Sequence, residues 1–348
     1  MKVKKTVIGE LEKCYALAML EYDRKKHFLV AAEKSDKCQM FDLDGNPEET
    51  IWEGPGGVMS MVQVPGSNGQ FLATHKFYSP NDSKEAKIVI AEPGADGKWE
   101  VRTLAELPFV HRFDILQNNG INYLIACTLK SGHEYKDDWT HPGKVFAAVL
   151  PEDLSDYNEK NQLELKVIRE DFTRNHGYYR CNTGNCESAV ISCDSGVYLF
   201  SAPDTENGNW AIRQLIDVPS SDAVLMDLDG DGMKELFVLS PFHGNTVSIY
   251  KEYKGVFEKI YEYPEKPEFL HAIFGGEING RPMVIVGHRK GERNLLAFYS
   301  NHMGGYHVER LDSGAGAANV LHYCKDGREI IIAANREINE IAMYELGR

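Results

Sequence analysis

The chain lacks any segment that reads as a membrane-crossing helix: no stretch reaches the roughly eighteen apolar residues that a span requires. It is also poor in positive charge. Lys and Arg number 38 against 52 Asp and Glu, a formal charge of −14, which argues against nucleic acid as a partner because phosphates need cationic neutralisation. The same balance disfavours an anionic membrane surface. Paired cysteine motifs are missing as well. The seven cysteines are odd in number. Cys181 and Cys186 have no second pair to complete a zinc knuckle, and Cys127 and Cys193 sit in or beside apolar runs as small hydrophobes. The first twenty residues, Met1 to Leu20, carry Glu10, Glu12 and Lys13 where a signal peptide needs an unbroken apolar stretch. That segment reads as part of the fold, with a cytoplasmic location expected. GxSxG, a P-loop lysine motif and a Rossmann fingerprint are all absent. Gly314-Ala-Gly-Ala-Ala opens a strand and reads as close backbone contact.

What is present is a soluble composition, 43% hydrophobic and 26% charged over 348 residues, built from short β-branched and aromatic runs bounded by Gly, Asn, Asp and Pro. These runs group into units of about fifty residues, the period of propeller blades. Lys87 to Leu107 (KIVIAEPGADGKWEVRTLAEL) and Gly196 to Ile216 (GVYLFSAPDTENGNWAIRQLI) share one layout: an apolar strand, a polar turn, a tryptophan and a second strand. The expected blades are 14–55, 56–107, 108–172, 173–218, 219–265, 266–313 and 314–348. The last is one strand short, and Val3–Gly9 is a spare strand at the other terminus. The expectation is therefore an all-β, single-domain, seven-bladed β-propeller whose N-terminal strand completes the last blade and leaves no open edge at the junction. Six and eight blades are the alternative counts, because the first repeat is faint.

Three histidines recur at one register of this repeat. His111, His176 and His271 each stand twelve residues before an apolar run, at Tyr123, Ser188 and Met283. Equal register in a repeat protein means equal spatial position, so three imidazoles are expected to converge where the inner strands enter the ring. Such a set suits a divalent transition metal (Zn, Mn, Fe, Co or Ni) with positions left for water or substrate. For any one of these histidines, a satisfied polar role near a strand end is the ordinary alternative. The up-and-down order of a blade puts His75, His133, His141, His243 and His288 on the same face. His133, His141 and His75 are candidate bases, and Tyr135, Arg289 and His288 candidate assisting groups. The insertion Lys130–Pro142 holds Tyr135 and Trp139, a candidate sugar-stacking ring. Tyr178, Tyr179, His243 and Arg112 are candidate substrate contacts, and Arg112 and Arg289 suit a carboxylate or an enolate.

A second cation site is expected on the opposite face. Asp227, Asp229, Asp231 and Glu235, with Gly232 and the Met233 carbonyl, have the spacing of a calcium loop. A metal-free polar turn is the other reading. Asp42-Leu-Asp44-Gly-Asn46 lies between outer strands and reads as a plain hairpin turn.

On these residues the segment DLDGDGMKELFVLS resembles the FG-GAP or VCBS-type repeat of integrin-like and bacterial propellers. HAIFGGEINGRPMVIVGHR looks like a worn copy of it. Sugar-lyase propellers of the aldos-2-ulose dehydratase type are similar in carrying histidines at the ring mouth. With a histidine-held cation to polarise a carbonyl and a rim base to take the adjoining proton, the expected function is a metal-dependent lyase, dehydratase or isomerase acting on a small carbohydrate or keto-sugar, with a hydrolase as a variant; substrate identity does not carry over from the resemblance. The alternative is a non-enzymatic, calcium-stabilised propeller that binds a glycan or a protein.

Overall fold

The structure, a computed structural model, describes residues 1–184, 186–301 and 303–347. It contains seven four-stranded antiparallel sheets. The first strand, β1 (Lys2–Glu10), belongs to the last sheet. Blade 1 is β2 (Cys14–Tyr22), β3 (Lys25–Ala32), β4 (Cys38–Asp42) and β5 (Pro47–Trp52). Blade 2 is β6 (Met61–Gln63), β7 (Phe71–His75), β8 (Lys87–Pro93) and β9 (Trp99–Glu106). Blade 3 is β10 (Val110–Asn118), β11 (Ile121–Thr128), β12 (Gly143–Val149) and β13 (Lys166–Phe172). Blade 4 is β14 (Gly177–Thr183), β15 (Cys186–Cys193), β16 (Gly196–Ser201) and β17 (Ala211–Ile216). Blade 5 is β18 (Asp222–Met226), β19 (Glu235–Ser240), β20 (Thr246–Tyr253) and β21 (Val256–Glu262). Blade 6 is β22 (Leu270–Ile278), β23 (Arg281–His288), β24 (Leu295–Ser300) and β25 (Tyr306–Asp312). Blade 7 is β26 (Asn319–Lys325), β27 (Arg328–Asn335) and β28 (Glu340–Gly347), with β1 on its outer edge.

The expected seven-bladed ring and its closure are both present. β1 pairs antiparallel with β28 from Lys2↔Gly347 to Glu10↔Glu340. Lys5 adds ion pairs to Asp312 and Glu340 at 2.8 and 2.7 Å. The outer edge of the last blade is thus supplied by the opposite end of the chain. Among the described residues no helix is long and apolar enough to cross a membrane.

Burial explains the sequence pattern. Second strands lie between two neighbouring blades and are apolar on both faces, so β19 is buried along its whole length and β11 and β27 nearly so. Outermost strands alternate or face solvent, as in β13 and β21. Aromatic contacts join blade to blade. Phe237 meets Phe298 at 5.1 Å between blades 5 and 6, and Phe28 meets Tyr323 at 6.1 Å between blades 1 and 7. First strands of all seven blades surround a central channel, lined among others by Leu17, Met61, Arg112, Tyr178, Asp222, His271 and Asn319.

Candidate metal centre

The inward residues are set by a repeated lead-in turn. Lys13, Phe109, Arg174 and Phe269 all have positive φ, between 50° and 64°. Each stands two residues before Tyr15, His111, His176 or His271. A bulky residue in this region is uncommon and strained, so the neighbouring structure must hold it. A shared hydrogen bond does so: the carbonyls of Lys13, Phe109 and Phe269 accept from Glu33, Leu129 and Arg289 at 2.9, 3.0 and 2.9 Å. A bulge follows, because the ladder skips Tyr15 between Cys14 and Ala16, His111 between Val110 and Arg112, and His271 between Leu270 and Ala272. Bulges re-aim side chains, and here they turn one residue per blade towards the ring centre. Second strands begin at Ile121, Cys186 and Arg281, two residues earlier than the apolar runs suggest, and the shared register is kept. Tyr15 has the same offset from β3, so a phenol occupies the histidine register in blade 1.

The rings converge. The His111 and His176 centroids are 4.6 Å apart, His176 and His243 5.0 Å, His176 and His271 5.2 Å, and His243 and His271 5.4 Å. His176, His243 and His271 each offer a ligand atom within 4.8 Å of the other two. This grouping differs from the expected set. His243 takes the third place, and His111 packs beside His176 with its Nδ1 3.3 Å from the His176 carbonyl. His243 is out of register because it comes from the loop between β19 and β20, where a left-handed backbone (φ 49°) aims it inward.

Hydrogen bonds fix the tautomers. His271 Nδ1 donates to the Ala318 carbonyl at 2.7 Å, since a carbonyl only accepts. Its Nε2 then accepts from the Tyr15 hydroxyl at 3.1 Å. His176 Nδ1 donates to Asp222 Oδ2 at 3.0 Å. Ser221 Oγ also donates to that oxygen, at 3.0 Å. The Nε2 atoms of His176 and His243 are buried without a protein partner among the described residues. A carboxylate on one imidazole nitrogen with the other nitrogen bare and buried is the arrangement of metal-binding histidine. Burial, the largest cause, together with the neighbouring imidazoles and Arg112 or Arg289, holds His111, His243 and His271 well below the usual histidine range. They stay neutral, the form that ligates a cation. Burial also raises the Tyr15 hydroxyl to about 12, so it remains a donor.

Aromatic rings close the cluster from the outside. Phe77 packs on His111 at 5.1 Å, Phe242 on His243 at 3.9 Å and Phe269 on His243 at 4.2 Å. His111, His176 and His271 are 3%, 1% and 2% exposed, so the site lies beneath the rim. Two cavities reach it. One of about 540 Å³ opens at the rim among Pro80, Asp137, Trp139, Arg174, Phe242 and His243. The other is the channel, about 160 Å³, with His271 in its wall.

No protein-family model matches the chain, and no curated protein matches it. Solved structures match along the whole ring. A streptogramin B lyase aligns over 99% of this chain and 98% of its own, with a TM-score of 0.54 and 14% identity. The β-propeller domain of Cps50 (Swd1) from Myceliophteria thermophila covers 99% and 100%, with a TM-score of 0.61 and 10% identity. A glucose dehydrogenase covers 99% and 99%, with a TM-score of 0.51 and 14% identity. At these identities the likeness is one of fold, shared by enzymes and a propeller domain alike.

The remaining candidates are placed as follows. His75 is buried against Trp52 at 4.7 Å, and burial lowers its pKa to about 3. His288 has both nitrogens engaged, Nδ1 donating to the Lys290 carbonyl and Nε2 accepting from the Asn294 amide, each at 2.9 Å; its contacts are those of a structural residue. Arg289 pairs with Glu337 at 2.7 Å, and Tyr179 donates to the Gly275 carbonyl at 2.6 Å, so both are committed to holding blades together. His133 packs edge-on against Phe109 at 5.9 Å and lines a cavity with Lys76 and Tyr78. Trp139 meets Phe242 of blade 5 at 5.5 Å, with Lys130 over its ring at 4.2 Å. Tyr135 is 62% exposed on the same insertion. His141, partly exposed, has Nδ1 3.3 Å from Asp138. Asp138 is itself fixed by the Thr140 hydroxyl and the Glu134 and Thr140 amides. Tyr178 and Arg112 line the channel.

The calcium-type loop is filled differently from the expectation. Lys251 Nζ lies 2.7 Å from each of Asp229, Asp231 and Glu235. Lys251 stands opposite Glu235 in the β19–β20 ladder, which the loop's own spacing does not reveal. Asp227 accepts from the Gly230 and Gly232 amides, and Met233 donates its amide to Asp231. Asp227, Asp229 and Glu235 are grouped closely enough to hold a cation, but an ammonium already supplies the charge they face. At Asp42, three donors from Asp44 and Asn46 make the expected plain turn.

Proposed function

We propose that this propeller is a metal-dependent enzyme of the carbon–oxygen lyase or dehydratase type, acting on a sugar or keto-sugar. A divalent transition metal would be held by His176, His243 and His271. The observation that carries the reading is the pair of buried, bare Nε2 atoms on His176 and His243, with Asp222 orienting the first. Such a metal supplies Lewis acidity, which polarises a carbonyl and acidifies the adjoining C–H. Asp222 orients the His176 ring and fixes its tautomer. Tyr15 donates to His271 Nε2 and would have to give up that hydrogen bond for the nitrogen to bind the metal. The rim cavity beside Trp139 and Phe242 has the size for a sugar ring, and Arg174 gives it a cationic wall. His141 is the candidate rim base, because it is accessible and Asp138 orients its ring. Phe77, Phe242 and Phe269 exclude water from the imidazoles. The motif likeness to FG-GAP or VCBS repeats and to sugar-lyase propellers supports this class of reaction. A calcium ion at the Asp227–Glu235 loop would have to displace Lys251.

The test is elemental analysis and reconstitution with Zn, Mn, Fe, Co and Ni, followed by a keto-sugar panel monitored by NMR for loss of water. A stoichiometric transition metal that disappears in His176→Ala and His243→Ala is expected. The near-complete burial of three histidines favours one second reading, a non-enzymatic propeller that binds a glycan or protein. Finding calcium alone, or no metal after reconstitution, would select it.

A further inference from the structure

Arg112 stands out among the charges of the central channel. The two carboxylates beside it are already engaged. Arg180 holds Asp114 through two donors, Nε at 2.8 Å from Oδ2 and Nη2 on Oδ1. His176 and Ser221 hold Asp222. Among the described residues Arg112 makes no ion pair, and its hydrogen bond is from Nη1 to the Met59 carbonyl at 2.8 Å. Its guanidinium lies 5.8 Å from the Tyr15 ring centroid, which orients it against the wall. A guanidinium carries five donors, so most of its capacity is left to face a polar cavity that also presents Ser60, Asn319 and His271.

We infer that the channel is a binding site for a small carboxylate, anchored by Arg112. A planar, delocalised cation with free paired donors matches a carboxylate bidentately. Cavity volume sets the size. At about 160 Å³ the space is comparable to a cavity that admits one small ring, so it suits a single small acid. The site is distinct from the rim cavity, with which it shares no lining residue. It does not depend on a bound metal, since every residue invoked is in place without one.

The experiment is isothermal titration with glycolate, using chloride at equal ionic strength as the blank. It is run on chelator-treated protein and again on zinc-loaded protein, so that the outcome is separate from the metal reading. Saturable binding in the millimolar range is expected for both. Arg112→Leu should weaken it roughly tenfold or more, while Arg112→Lys retains part of it as a point charge. Unfolding curves of Arg112→Leu and Arg112→Lys guard against a folding defect. The assignment is overturned if wild-type protein shows no saturable heat with glycolate, or if a correctly folded Arg112→Leu binds it as well as wild type.

Discussion

Replacing Asp222 by Asn probes the proposed centre without removing a ligand. Asp222 is 3% exposed, and its Oδ2 receives His176 Nδ1 and Ser221 Oγ, both at 3.0 Å. The asparagine carbonyl can still accept from His176, so the ring keeps its place and tautomer. What is lost is the negative charge that makes the imidazole a better donor to a cation. Removal of such outer partners costs 10–100-fold in metal affinity, about 1.4–2.7 kcal/mol. The hydrogen bonds become neutral-acceptor bonds, which lowers folding stability by about 1 kcal/mol. Competitive titration of zinc against a chromophoric chelator reads the first quantity, and urea unfolding of the metal-free protein reads the second. His176→Ala should bind no zinc at this site, and His111→Ala should retain it, because His111 stands outside the triad. If Asp222→Asn binds zinc as tightly as wild type, the carboxylate does not act through His176. If His176→Ala also binds normally, the centre is elsewhere.

Acid should unfold the protein early. His75, His111 and His271 are buried and held below their unfolded pKa of about 6.5. The unfolded chain therefore takes up protons that the native state refuses. Their contribution is complete above pH ~6.5 and is lost as pH falls through the window down to about 3 set by His75, at up to ~1.4 kcal/mol per pH unit for each group; urea midpoints measured against pH check this, and a flat profile between pH ~6.5 and ~5 would contradict it. Lys251→Met should cost about 3 kcal/mol by leaving buried Glu235 uncompensated, and calcium should then raise the variant's melting temperature more than the wild type's. Equal calcium responses would show that the ammonium does not occupy the cation's place. Deleting residues 1–10 removes β1 and bares the β28 edge, so the truncated protein should melt lower and self-associate on size exclusion.

The architecture was legible because each second strand is sandwiched between two sheets and so reads as an unbroken apolar run, while turns between strands carry their own residue chemistry. His176 and His271 were legible because register in a repeat is position. His243 was not, since it arrives from a loop outside that register and depends on a left-handed φ that no local pattern announces. Asp222 lies 46 residues from His176 and meets it only across the junction of blades 4 and 5. Lys251 meets the aspartate loop through strand pairing, which local spacing cannot supply. Arg112 was visible as a candidate anion contact, but its lack of a carboxylate partner became apparent only once Asp114 and Asp222 were seen to be engaged by others.

The lead-in turn gives the molecule interchangeable sockets. Left-handed residues Lys13, Gly57, Phe109, Arg174, Phe269 and Gly316 each precede by two positions the side chains Tyr15, Met59, His111, His176, His271 and Ala318. Backbone geometry, rather than the occupant, decides where those groups project. A descendant or a designer can therefore exchange the occupant of one socket, from phenol to thioether to imidazole to methyl, and alter the chemistry at the hub while leaving the wheel itself untouched.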